Sequence, residues 1–257
     1  MTTAYHGGVR AIAAVIVVAG CGRVGFDALD DGVTTYRDAV LADAPTAYWR
    51  LDDTDTVARD QMGQVDGTYA GTCTHGAAGA LAGDANTATT LDGATCNIVL
   101  DTRLEFAGTA PFTLEAWVAE EPGLQIAHLI TRESRMGASP VNGYALLDFD
   151  GQGGAYLERV ANSAITHSAA MMIPRSQFVY LAGTYDGADM VLYVDGVALP
   201  AMPDATPIPQ FAATALLGRE PSGFFFGGSL DEVAVYDHAV PADHIALHHH
   251  IGVAGPQ

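Results

Sequence analysis

Apolar and polar positions alternate most regularly between residues 178 and 196, where Phe178-Val-Tyr-Leu-Ala-Gly-Thr-Tyr185 and Met190-Val-Leu-Tyr-Val194 flank a short polar stretch. A period of two predicts strands, and the β-branched and aromatic content agrees. Asp186-Gly187 begins the reversal and Asp195-Gly196 makes a second tight turn, with glycine taking the positive φ that other residues resist. Met190, Leu192 and Val194 alternate against Val191 and Tyr193, so both faces carry apolar groups. Strands of this kind belong inside a layered sheet. The same pattern predicts neighbouring strands over 67–75 and 95–100, a strand over 126–131, a hairpin region over 143–160 and a strand over 214–218. Pro241 near the start and Gly252 just past the end mark a short helix over 241–251.

The wording of the hairpin, T-Y-D-G followed by L-Y-V-D-G, resembles the central hairpin of LamG-like jelly-roll domains in the concanavalin A-like lectin/glucanase superfamily. Three more segments resemble that family in order: Ala47-Tyr-Trp-Arg-Leu-Asp-Asp53, Phe112-Thr-Leu-Glu-Ala-Trp-Val118 and Gly228-Ser-Leu-Asp-Glu-Val-Ala-Val-Tyr236. The resemblance implies an all-β, two-sheet antiparallel jelly-roll sandwich over residues 38–252, followed by a tail over 253–257. It leaves function open, because the superfamily includes lectins, adhesion modules and hydrolases.

The N-terminus is similar to bacterial lipoprotein leaders. Arg10 precedes an apolar run from Ala11 to Gly20, and Val18-Ala-Gly-Cys21 has the small-residue pattern of a lipobox. Such a run is too short to span a bilayer. The resemblance implies removal of residues 1–20, acylation of Cys21 and a polar tether over 21–37. Two or more acyl chains anchor stably where one does not. Gly22 follows Cys21 where an aspartate would signal retention at an inner membrane in some Gram-negative lipoproteins, so the resemblance implies an outer membrane or cell surface.

The charge changes the picture further. Eleven basic residues, all arginine, face thirty acidic ones, for a formal charge of −19. No basic cluster offsets that field, which argues against nucleic acid and anionic polysaccharides as partners. Cys73 and Cys96 remain once Cys21 is set aside. An even count in an exported chain points to a disulfide, worth on the order of 3 kcal/mol for a loop of about two dozen residues.

Hydrolysis by two glutamates framing an aspartate would need E-x-D-x-E or a near variant, and no strand has it. Glu115 and Glu120 do not share a face, and Asp231 and Glu232 are adjacent, so no strand presents two carboxyls at a period of two. His248, His249 and His250 point about 100° apart on a helix and cannot converge on one ion. The family resemblance implies a structural calcium held in part by Asp60 and Asp231. Around Asp60, however, the family's D-x-S-G-N-G becomes Asp60-Gln-Met-Gly-Gln-Val65.

For carbohydrate, aromatic faces and neighbouring carboxylates or amides are the useful groups, and Glu115, Trp117, Asn142, Tyr144 and Tyr156 could supply them. Trp49, Trp117, Tyr185 and Tyr236 lie in fold-defining motifs and equally suit a core. Arg132 and Arg135, placed in a loop, could meet an acidic ligand. These observations point to a lipid-anchored, non-catalytic binding module for a glycan or glycosylated surface. An envelope protein partner and a polysaccharide-active enzyme stand as alternatives.

Overall fold

A computed structural model describes residue 1 and residues 35–100, 103–122, 126–134, 140–149 and 154–255. The chain divides into Met1–Gly32 and Val33–Gln257; the elements below belong to the second unit, and Cys21 and Arg135 lie outside the described residues. In chain order these elements are α1 (Tyr36–Ala42), β1 (Ala47–Trp49), β2 (Val57–Ala58), β3 (Gly67–Ala70), β4 (Cys73–Ala78), β5 (Thr87–Asp92), β6 (Asn97–Val99), β7 (Phe112–Glu120) and β8 (Ile126–Glu133). There follow β9 (Gly143–Phe149), β10 (Gly154–Ala161), β11 (Ala164–His167), β12 (Val179–Tyr185), β13 (Asp189–Val194), β14 (Val197–Ala198), β15 (Met202–Pro203), β16 (Leu216–Leu217), β17 (Gly227–Tyr236) and α2 (Ala242–Ala254).

Strand β7 shows how sequence becomes architecture. Phe112, Leu114, Ala116 and Val118 face one way and join the main core, while Thr113, Glu115 and Trp117 face the other. It sits inside a nine-stranded antiparallel sheet ordered β14-β13-β12-β7-β17-β5-β4, with β1 also on β17 and β15 also on β13. An eight-stranded sheet ordered β11-β10-β9-β8-β16-β6-β3-β2 packs against it. Trp49, Phe112, Leu181, Leu192 and Leu230 from the first sheet meet Ile98, Ile130, Tyr144, Leu146, Leu157 and Leu217 from the second. This is the two-sheet jelly-roll sandwich expected from the motifs. The 178–196 hairpin forms as expected, with Leu181 opposite Val194 and Tyr185 opposite Met190. Its second turn holds both Asp195 (φ 49) and Gly196 (φ 74) at positive φ, the requirement of a tight two-residue reversal.

A second apolar layer covers the outer face of the nine-stranded sheet. Tyr36, Ala39 and Val40 of α1, with Ile245 and Ile251 of α2, close over Trp117, Tyr180, Ala182 and Tyr236. Helix α1 opens at Tyr36, within the stretch expected to be tether. Its start was legible in a local cap: the Thr35 hydroxyl accepts the Asp38 amide at 3.1 Å. Helix α2 runs on to Ala254, through Gly252 rather than stopping before it, and Gly255 (φ 80) follows its end. Gly252 is buried against the Trp117 indole and Leu81, so it serves close packing rather than termination.

The segment 67–75 is not one strand. Gly71 (φ 80) turns the chain, leaving β3 beside β6 in one sheet and β4 beside β5 in the other. Cys73 therefore opens a strand of the nine-stranded sheet, whereas Cys96 immediately precedes β6 in the eight-stranded sheet. The two form a disulfide with Cα atoms 5.1 Å apart. The expected bridge exists, and it joins the two layers.

Candidate functional site

Beneath α1 and α2 lies a chain of buried polar groups centred on Glu115. Its carboxylate accepts the Tyr180 hydroxyl at 2.5 Å and the Tyr236 hydroxyl at 2.7 Å. His248 Nδ1 lies 3.1 Å from the same carboxylate, and its Nε2 lies 3.2 Å from Asp43 just after α1. His244 Nδ1 meets the other Asp43 oxygen at 2.6 Å. Burial opposes a charged His248, but the Glu115 and Asp43 carboxylates outweigh it and push the imidazole up to about 10. Asp43 is held below its ordinary value: burial works against this, and hydrogen bonds from His248 and His244 prevail. The arrangement is an internal clasp joining α1, α2 and β7. Trp117 lies under it, with its ring 5.8 Å from that of His249.

A second network forms at a bulge in β17, where Asp231 and Glu232 interrupt the ladder and Glu232 takes φ 51. Asp231 accepts the Ala80 amide and the Asn86 side-chain amide, both at 2.8 Å. Glu232 accepts from Asn86, from the Tyr48 hydroxyl and from Arg50. Both acids are fully buried. Burial lifts Asp231 to about 7; burial and then the Asp231 charge lift Glu232 to about 8.

These contacts test the calcium expectation. Every Asp60 oxygen is engaged by backbone: Oδ1 accepts the amides of Tyr48 and Met62, and Oδ2 those of Gln64 and Val65. Asp231 is likewise spent on internal donors, and the cation beside it and Glu232 is the Arg50 guanidinium, which also meets Asp84. Among the described residues no three His, Cys, Asp or Glu side chains are arranged to hold an ion. The donor set is that of a braced turn and an arginine pair, and it does not fit a calcium shared by Asp60 and Asp231.

The five residues suggested for sugar stacking fall on different surfaces, and all are buried. Glu115 and Trp117 face the helices. Tyr144 points into the main core and donates its hydroxyl to the Leu104 carbonyl at 2.5 Å. Asn142 accepts the Asn162 amide at 2.7 Å and fastens a loop. Tyr156 lies on the outer face of the eight-stranded sheet, packed with Ala145 and Leu147 and 5.0 Å from the His167 ring. Period-two spacing correctly puts Glu115 and Trp117 on one side, but a helix more than a hundred residues later covers them. Arg132 is also relocated: it belongs to β8, is buried, and stacks on Phe211 at 4.4 Å.

Among the described residues, an open concavity lies elsewhere. On the outer face of the eight-stranded sheet, Val99 of β6 and Leu216 of β16 form the floor of a groove of about 330 Å³, flanked by Glu133, Ser134, Thr214, Ala212 and Arg219. Ala212 also borders an adjoining concavity of about 450 Å³ with Glu105, Arg132, Gln210 and Phe211. The Pro-rich segment 200–209 delivers this rim. Asp204 in that segment is pinned by buried Arg159, whose guanidinium also lies 3.7 Å above the Tyr185 ring. No motif marks the groove in sequence, because its walls come from separate segments with no repeating pattern.

A family profile of the concanavalin A-like lectin/glucanases superfamily, Laminin_G_3, matches residues 92–246, more than half of the chain. The chain belongs to this family. No curated protein matches it. Among solved structures, domain 4 of AbnA, a GH43 extracellular arabinanase from Geobacillus stearothermophilus in complex with arabinotriose, is similar at 21% identity and TM-score 0.63, covering 79% of this chain and 97% of that domain. The receptor binding domain of botulinum neurotoxin D is similar at 10% identity and TM-score 0.59, covering 81% of this chain and 52% of that one. Trypanosoma rangeli sialidase in complex with 2,3-difluorosialic acid is similar at 12% identity and TM-score 0.54, covering 78% and 31%. The chain thus spans nearly all of the arabinanase domain and about half or less of the other two. At these identities the likeness establishes the fold alone.

Proposed function

We propose that this laminin-G-like domain is a non-catalytic carbohydrate-binding module, displayed outside the cytoplasm on an acylated Cys21. The carrying observation is the groove on the eight-stranded sheet, where hydroxyl, amide, carboxylate and guanidinium groups stand beside the Phe211 ring. Such groups, a few polar contacts around an apolar floor, suit sugar hydroxyls and the apolar face of a pyranose or furanose. The arabinotriose-bound relative supports this class of ligand for the fold. The buried acids support a binding role over turnover: Glu115, Asp231 and Glu232 are sequestered from solvent and committed to internal partners. The disulfide fits an oxidising compartment.

The test is a glycan panel read by calorimetry on the wild-type domain and on Ala212→Trp, which puts an indole where the two concavities join. Binding that Ala212→Trp abolishes, with an unchanged melting temperature, supports the proposal. A panel with no binder, or a binder indifferent to Ala212→Trp, overturns it and favours an envelope protein as partner. For the anchor, Cys21→Ser moves the protein from the membrane fraction to the soluble one.

A further inference from the structure

The arginines of this lysine-free chain are mostly spoken for. Arg50 pairs with Asp84 and Glu232, Arg59 with Asp53 and Asp55, Arg132 with Glu105, Arg159 with Asp204, and Arg175 with Glu120 and Asp148. Arg37 bonds the Gln61 amide, away from the groove. Arg219 differs. It lines the groove, it is half-buried, and among the described residues no carboxylate comes within ion-pair distance of it.

Arg219 is nevertheless held in place. Its Nε donates to the Glu220 carbonyl at 3.3 Å, its Nη2 to the Pro221 carbonyl at 3.2 Å, and its guanidinium lies 5.0 Å from the centre of the Phe225 ring. A bridge between Arg219 and Phe225 closes this loop on itself. Five N–H donors are available on a guanidinium, and these contacts leave both Nη1 donors uncommitted. A planar cation fixed by neutral carbonyls and a ring, beside an open cavity, is preorganised for an oxyanion. In a chain with a formal charge of −19, Arg219 meets no carboxylate within ion-pair distance among the described residues, although Glu133 lines the same groove.

We propose that the sugar taken by this groove carries an anionic substituent, a carboxylate or a sulfate, seated against Arg219. The proposal rests on the carbohydrate reading above and narrows it. The acidic surface does not forbid such a ligand at physiological salt, where charges beyond about 8 Å are largely screened. It does disfavour densely charged polyanions, so the fit is a sugar with isolated acidic groups on an otherwise neutral chain.

Matched probes separate the possibilities: sialyllactose and sulfolactose against lactose, and xylotriose bearing one glucuronic acid against xylotriose. Each is titrated into wild type, Arg219→Gln, Arg219→Lys and Ala212→Trp at physiological salt. The expected result is that at least one charged probe binds about tenfold more tightly than its neutral partner. Arg219→Gln removes that preference by weakening the charged probe more than its neutral partner, and Arg219→Lys restores part of it. The carboxylate and sulfate arms distinguish the two substituents. Equal binding of charged and neutral probes, or equal loss of both in Arg219→Gln, overturns the anionic assignment. If Ala212→Trp still blocks that binding, the carbohydrate reading stands without it. No binding across the panel removes both.

Discussion

His248 Nδ1 lies 3.1 Å from the Glu115 carboxylate, linking the middle of the last helix to the middle of the central strand β7. Its other nitrogen faces Asp43, at the end of the first helix, so one imidazolium connects three elements far apart in sequence. His248 and Glu115 are essentially without solvent exposure.

Removing one member of a buried ion pair strands the others. His248→Ala is expected to cost on the order of 3–5 kcal/mol, because Glu115 and Asp43 lose their shared cation in a dry site. Urea denaturation measures it, and limited proteolysis should show new cleavage near Asp43 as α1 loosens. A loss below about 1 kcal/mol would mean that the clasp is incidental to stability.

The raised acids at the β17 bulge set a pH dependence. Asp231 and Glu232, at about 7 and about 8, hold protons in the folded state that their ordinary values of 3.8 and 4.5 would release in the unfolded chain. The stability so conferred is complete below the unfolded values and is lost as pH rises through the folded ones. His248 has the same sign further up: its contribution is complete below 6.5 and is lost as pH rises through about 10. The melting temperature is therefore expected to fall from pH 5 to pH 10, at roughly 2–4 °C per kcal/mol for a domain of this size. Glu232→Gln should flatten the lower part of that decline, and a profile rising from pH 5 to 8 would contradict it.

Gly252 allows α2 to lie directly on Trp117. A Cβ there would overlap the indole and press on Leu81, so Gly252→Ala is expected to destabilise the domain by about 1–3 kcal/mol despite alanine's better helix propensity. Trp117→Phe in the same background should recover part of the loss. A Gly252→Ala protein as stable as wild type would show that the helix can shift without cost.

The difference between what the chain revealed and what it concealed lies in the range of the interactions. The 178–196 hairpin was legible because alternation and turn glycines are local. The Cys73–Cys96 bond was legible from count and compartment, but Gly71 was read as part of a strand when it turns the chain from one sheet to the other. Gly252 has the local look of a helix stop, because its partner, Trp117, is more than a hundred residues away. Period-two reasoning placed Glu115 and Trp117 on a common face correctly. It could not say that His248 would cover that face, so they passed for ligand residues. The groove was hidden for a related reason: Val99, Ala212, Leu216 and Arg219 share no motif and meet only through the pairing of β6, β16 and β8.

The entry helix rests on the outside of one sheet, and the groove opens on the outside of the other. A tug between the start of the domain and a molecule held in the groove would thus try to slide the sandwich apart across its greasy middle. Apolar packing resists shear poorly compared with a covalent strut. The sulfur bridge from β4 to the threshold of β6 spans that slip plane and ties the two layers together covalently.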